Sequence, residues 1–117
     1  MQHKDKIVLQ KILEVIDETA EISINISEEE FLKNNLLKMA MTMAILRIGE
    51  LVKNLDFEFR KENPQVKWKA IAGFRDIIAH KYEAVDMEEV YKTITEDFPE
   101  LKLQIEKIME VQKCTNM

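Results

Sequence analysis

Apolar side chains return every three or four residues along most of this chain. Ile7, Leu9, Ile12, Leu13, Ile16 and Ala20 do so over residues 3–21, which predicts an amphipathic helix. "EISINIS" (21–27) breaks that rhythm with β-branched and small polar residues. Ser27 and Glu30 then stand at the capping-box spacing, in which the hydroxyl accepts from an orphan amide and the carboxylate reaches back. A short helical turn, "EEEFLK", follows. A second long helix is predicted over about 35–55, carrying Leu36, Leu37, Met41, Ala44, Ile45, Ile48, Leu51, Val52 and Leu55. Its apolar arc covers most of the circumference, as in a helix that is central in a bundle or faces a partner. Arg47 lies beside the arc with Glu50 three residues on, so a local ion pair is expected between them.

"DFEFRKENP" (56–64) closes that helix, with Pro64 as punctuation. A third helix is predicted over about 66–81. The fourth starts after Asp86, where "DMEE" offers an aspartate cap and a glutamate three residues later. It is interrupted at "DFPE", where Pro99 suits the first turn of a renewed helix through Leu101, Leu103, Ile105 and Ile108. The expected fold is all-α: a four- to five-helix up-and-down bundle, with residues 1–117 as one domain. Composition agrees, since two glycines and two prolines are too few for the turns of a β domain. A chain of this length buries about 65% of its unfolded surface, enough for one core.

The N-terminus mixes charges with apolar residues and lacks a signal-peptide run. The least polar stretch, "MAMTMAIL" (39–46), is too short to span a bilayer. Cys114 is the single cysteine, so no internal disulfide forms, and a cytoplasmic location without membrane contact is expected. The net charge of −5 argues against coating duplex DNA. Charge is uneven, however. Lys67, Lys69, Arg75 and Lys81 face only Asp76 over residues 67–81, whereas residues 83–100 are strongly acidic. Solvated helix faces explain such runs without any site.

One stretch, "RDIIAHKY" (75–82), concentrates chemistry. At 100° per residue from Trp68, Ile71, Phe74, Ile77, Ile78 and Tyr82 fall between about 180° and 320°, the expected core side. Arg75 falls at about 340°, while Asp76, His80 and Gly73 lie at about 80°, 120° and 140°. Ala79 and Ala72 lie at about 20° and 40°, so with Gly73 the polar side is paved with small residues that let another helix or a ligand approach closely. Asp76 and His80 form an i,i+4 pair, so Asp76 is placed to accept from the imidazole. Arg75 and His80 lie about 140° apart and do not converge on one helix. Either the helix ends near His80 or a two-fold partner brings the groups together. Two plainer readings stay open: a histidine complementing the helix dipole and an arginine snorkelling at a core edge. A metal site lacks its ligand spacings, Cys114 has no triad around it, and there is no glycine-rich phosphate loop.

The same stretch resembles the R-x4-6-H motif of the HEPN superfamily, in the R-x4-H-x-Y form of HepT-like toxins. "IGELVKNL" (48–55), "NPQVKWKAIAGFRDIIAHKYEAVD" (63–86) and "VYKTITEDFPELKLQIEKI" (90–108) are similar to that family's central and C-terminal blocks. The resemblance covers nearly the whole chain and is strongest from Ile48 onward. It implies a helical homodimer with both motifs at one cleft, acting as a metal-independent endoribonuclease toxin on RNA, with no cofactor. It also implies a partner, a minimal nucleotidyltransferase antitoxin that adenylylates the motif tyrosine. Carried over, the catalytic pair is Arg75 and His80, Asp76 is the supporting polar residue, and Tyr82 is the modified one. Lys67, Lys69 and Lys81 are the candidate phosphate contacts. Family members often carry asparagine where Asp76 stands; the extra charge would weaken phosphate binding or hold His80 protonated. The other reading is a non-catalytic helical module that binds a nucleotidyltransferase, as some HEPN relatives are inactive scaffolds.

Overall fold

A computed structural model describes the backbone of residues 1–115 and the side chains through Gln112; Cys114 lies outside the described side chains. Seven α-helices are named in chain order. They are α1 (His3–Ser23), α2 (Glu28–Leu32), α3 (Asn35–Lys53), α4 (Phe57–Glu62), α5 (Trp68–His80), α6 (Met87–Lys92) and α7 (Phe98–Thr115). A 3-10 turn, Tyr82–Ala84, follows α5, and a π turn, Thr93–Asp97, joins α6 to α7. No strand occurs among the described residues. Four long rods, α1, α3, α5 and the α6–α7 run, enclose the core, so the all-α bundle read from periodicity is the fold observed. No helix among the described residues is long and apolar enough to cross a membrane.

The local chemistry explains most boundaries. Ser27 Oγ accepts from the Glu30 amide at 3.1 Å. The return half of the expected box differs: the Ser27 hydroxyl itself donates to Glu30 Oε1 at 3.0 Å. "DFEFRKE" does more than close α3, because Phe57–Glu62 forms the short helix α4. Asp5, fully buried on α1, makes this possible by accepting from the Asp56 amide at 3.0 Å. Asp86 caps α6 by accepting from the Glu88 amide at 2.9 Å. "DFPE" widens the helix instead of breaking it. Pro99 cannot donate to the carbonyl four residues back and crowds it. The Phe98 amide therefore reaches back five residues to the Thr93 carbonyl, a π turn.

The core is built from Leu9 and Ile12 of α1, Ile48 and Val52 of α3, Val90 of α6 and Ile105 of α7, all fully buried. Around α5 it is thinner. Trp68 and Ile78 are the only residues of α5 that are fully buried. Trp68 fixes the start of that helix: its indole N–H donates to the Asn63 carbonyl at 2.9 Å, and its ring packs on Phe59. Ile78 pins the other end. Between those two anchors the rotation of α5 is set, and with it the direction in which Arg75 and Asp76 leave the helix.

Candidate functional site

Helices α3 and α5 cross where Gly49 meets the stem of Arg75. A Cβ on Gly49 would stand 2.2 Å from Arg75 Cβ and 2.7 Å from its Cγ, so only glycine permits this approach. The sequence pointed to Gly73, with Ala72 and Ala79 on α5, as the small residues that admit a neighbour. A Cβ on Gly73 would meet nothing within 4 Å, so the close approach belongs to Gly49.

Arg75 is mostly covered, and its guanidinium is held by two carboxylates. Nη2 lies 2.6 Å from Glu50 Oε2, and Nη1 lies 3.2 Å from Asp76 Oδ1. Its Nε is buried without an acceptor. Asp76 in turn pairs with Lys53, one helical turn beyond Glu50 on α3. The Lys53 ammonium, more than Arg75, draws the Asp76 carboxyl below its ordinary pKa; the carboxyl stays ionised. The four side chains form one chain, Lys53–Asp76–Arg75–Glu50, with two positive and two negative charges. Two expectations change here. The Arg47–Glu50 pair does not form, because Arg47 bonds Glu18 of α1 at 3.2 Å and Glu50 turns to Arg75. Asp76 does not take the His80 imidazole, because its carboxylate is already held by Lys53 and Arg75.

His80 is the last residue of α5, exposed, and carries the C-terminal charge position of that helix. The backbone leaves the helix at Lys81, whose amide still donates to the Ile77 carbonyl at 2.8 Å. Tyr82 opens the 3-10 turn and is 41% exposed, not packed as a core residue. Ile77, also assigned to the core side by the wheel, is exposed as well. The reason is shared: the covering elements reach only the Ile71, Phe74 and Ile78 side of α5.

Tyr82 borders a shallow apolar groove with Ile78, Ala79, Met39, Thr42, Met43 and Leu46. The groove continues an exposed stripe on α3, where Leu36, Met39 and Met43 are 77%, 62% and 56% exposed. These residues recur at i, i+3 and i+7, one face of the helix. Lys53 pairs with Asp76 near one end of α3, and Met39 nears Tyr82 toward the other, so the two helices run antiparallel. The breadth of the α3 apolar arc is thereby explained: one side feeds the core and the other stands in solvent.

The candidate phosphate contacts are spread along α5. Lys81 is exposed beside His80, whereas Lys67 precedes the helix start, about 20 Å away at 1.5 Å per residue. Lys67 lines a separate cavity of about 410 Å3 between α5 and the α6–α7 rod, together with Phe74, Lys92, Asp97 and Gln104. None of Arg75, Asp76, His80 and Tyr82 lines it. Burial pushes the Asp97 carboxyl up in pKa, against the pull of Lys92. Lys53, Glu50 and Gly49 were missed as site residues from sequence. Their signal was present in "IGELVK", where glycine, acid and base fall on neighbouring turns, but only the crossing of α3 and α5 gives them a common target.

An all-α bundle that presents an arginine, a histidine and a tyrosine at the end of one helix defines a class, and comparison with known proteins places the chain within it. The family model described as "Ribonuclease HepT-like" matches residues 12–108. The chain belongs to this HepT-like ribonuclease family. It is 38% identical over 105 residues to "Putative RNase TTE0752" of Caldanaerobacter subterraneus, covering 90% of this chain and 94% of that one. It is 36% identical over 106 residues to "Probable ribonuclease HepT" of Thermococcus cleftensis, covering 91% and 94%. A third relative, "Gamma-glutamylcyclotransferase and putative RNase MJ0434" of Methanocaldococcus jannaschii, is 38% identical over 110 residues. It is longer, and the match covers half of it. No solved structure matches the chain.

Proposed function

We propose that this protein is a metal-independent endoribonuclease that acts as the toxin of a toxin–antitoxin pair, with Arg75 and His80 as its catalytic residues. The observation that carries the reading is the arrangement at the end of α5. Arg75 is fixed at the α3 crossing, while His80 and Tyr82 stand uncovered beside an exposed apolar stripe. Metal-free RNA cleavage needs a base at the 2′-hydroxyl, an acid at the leaving oxygen and a cation at the phosphorane. Histidine titrates near neutrality and can serve as base or acid. Arginine is permanently charged and grips phosphate through paired N–H donors. One copy supplies one histidine at this motif. The stripe of Leu36, Met39 and Met43, with the groove beside Tyr82, is suited to a second copy. A two-fold dimer through it brings two His80 side chains to one cleft, enough for both proton transfers.

Regulation follows from Tyr82. Its exposure leaves the hydroxyl open to a nucleotidyltransferase antitoxin. An AMP group there adds a phosphate charge next to Lys81, where substrate phosphate would sit, and inhibits by occupation. The pairing of Arg75 with two carboxylates favours a second reading, in which the helix end is only a docking module for the nucleotidyltransferase. The deciding experiment incubates purified protein with total RNA, with and without EDTA. Cleavage insensitive to EDTA supports the first reading. No cleavage, together with unimpaired growth on expression, supports the second.

A further inference from the structure

We propose that Glu50 is the positioning residue for Arg75 in RNA cleavage. The inference rests on the ribonuclease reading above and adds to it a residue on a different helix. The guanidinium carries five N–H donors. Asp76 accepts one from Nη1, and the Glu50 carboxylate stands 2.6 Å from Nη2 as an ion pair, so the group is held from both ends. Asp76 is itself tethered to Lys53, which keeps that end of the chain in place. Gly49 lets the Arg75 stem lie directly against α3, one residue before the carboxylate that holds its tip. The stem and the tip are thus located by successive residues of one rigid helix.

Stability does not explain the contact. The Glu50 side chain is half exposed, and ion pairs at such sites contribute little to folding. What the pair does is remove the rotamer freedom of a long side chain that must meet a phosphorane in one orientation. Nη1 keeps one further N–H beyond its bond to Asp76, so the held group still has a donor for a phosphate. The reach of the side chain therefore matters. A shortened carboxylate retracts the anchor, whereas an amide of equal length still places an oxygen beside Nη2.

The test compares Glu50→Ala, Glu50→Asp and Glu50→Gln with the wild type, each checked by circular dichroism and thermal melting. Steady-state cleavage of a defined RNA is measured, along with 15N NMR of the Arg75 guanidinium. Glu50→Ala and Glu50→Asp should lose about 10- to 100-fold in kcat with KM changed less than about twofold, while Glu50→Gln stays within about threefold of wild type. The slowed rotation of the Arg75 Nη groups should persist in Glu50→Gln and be lost in Glu50→Ala. Unchanged kcat in Glu50→Ala overturns the proposal, as does a lowered KM, which would make Glu50 a competitor for phosphate. Should Glu50→Ala fail to fold, an Asp variant more active than the Gln variant overturns it equally. A wild type that cleaves no RNA overturns the ribonuclease reading, and the NMR comparison then still reports whether Glu50 holds Arg75.

Discussion

Arg75 and His80 are five residues apart on one helix, and their surroundings have little in common. Arg75 is pinned: its stem lies on Gly49, its tip lies between Glu50 and Asp76, and only a fifth of its side chain is exposed. His80 stands at the last turn of α5, exposed, with no side-chain hydrogen bond or ion pair among the described residues reaching its ring. The difference shows what each residue still requires. The arginine is set in advance by its own chain. The histidine has a free ring on a helix end, next to an apolar stripe that no other described residue covers. Under the proposed dimer, a site built from both would be half complete in one copy.

The largest effect expected separates the two residues by readout. Removing a general base or a transition-state cation costs about 10²–10⁴ in rate. His80→Ala and Arg75→Ala should both abolish cleavage on this scale. Their stabilities should differ. Exposed His80 should change the melting free energy by less than about 0.5 kcal/mol. Arg75→Ala removes the packed stem over Gly49, so it should melt measurably lower. Wild-type cleavage by either variant would end the catalytic assignment; equal melting curves would show that the pinned arginine contributes nothing to the crossing.

The missing half can be tested next. Met43→Glu places a charge where the exposed stripe meets the groove beside Tyr82, without touching the core. Light scattering should show a dimer for the wild type and a monomer for this variant, with cleavage falling in step with the dimer fraction. A monomeric wild type at micromolar concentration that cleaves RNA would mean that one histidine suffices.

The pinned half has its own test at Gly49. The Arg75 Cβ is fixed to the backbone of α5, so an added methyl at 2.2 Å can be relieved only by parting the two helices. Overpacking of this kind costs about 1–3 kcal/mol. Gly49→Ala should lose stability on that scale and lose cleavage as well, because the arginine moves with its helix. The matching change at Gly73, whose Cβ would meet open space, should instead be stabilising by about 0.5–1 kcal/mol through helix propensity. Similar effects at the two glycines would contradict the crossing.

How much of this was legible in the sequence follows from what each residue depends on. The helices were readable because periodicity and caps act over a few residues, as at Ser27 and Asp86. The motif end of α5 was readable because Arg75, His80 and Tyr82 are neighbours in the chain. Glu50, Lys53 and Gly49 were hidden because their partners lie 23 to 26 residues further on, at Arg75 and Asp76. Only the rotation of α5, set by Trp68 and Ile78, decides which residue meets which. The wheel gave Ile77 and Tyr82 to the core for the same reason. It counts apolar residues on a face but cannot say how far a covering helix extends. The short helix α4 escaped notice because the amide of its cap residue, Asp56, is satisfied by Asp5, 51 residues earlier in the chain.

The smallest effect concerns Asp76 and depends on pH. Lys53 first, and Arg75 second, hold its carboxyl below the ordinary value of 3.8, so the folded pKa is depressed. The sign follows directly. A depressed carboxylate stabilises the fold above its unfolded pKa, and that contribution disappears as pH falls through the folded value. Asp76→Asn cannot ionise, so it should melt below the wild type at neutral pH and approach it below about pH 3.8. The gap should be small, because the carboxylate is exposed to solvent and its pairs are screened; added salt should shrink it further. Cleavage gives the more informative contrast. The amide introduced by Asp76→Asn can still accept from Lys53 or Arg75, while the four-residue chain gains one net positive charge next to the arginine. If Asp76 opposes phosphate binding, KM for RNA should fall in this variant. If it serves to hold Arg75 alongside Glu50, KM should stay and kcat should drop. A fall in kcat with constant KM in both Asp76→Asn and Glu50→Ala would mean that the two carboxylates act together on the pinned side of the site.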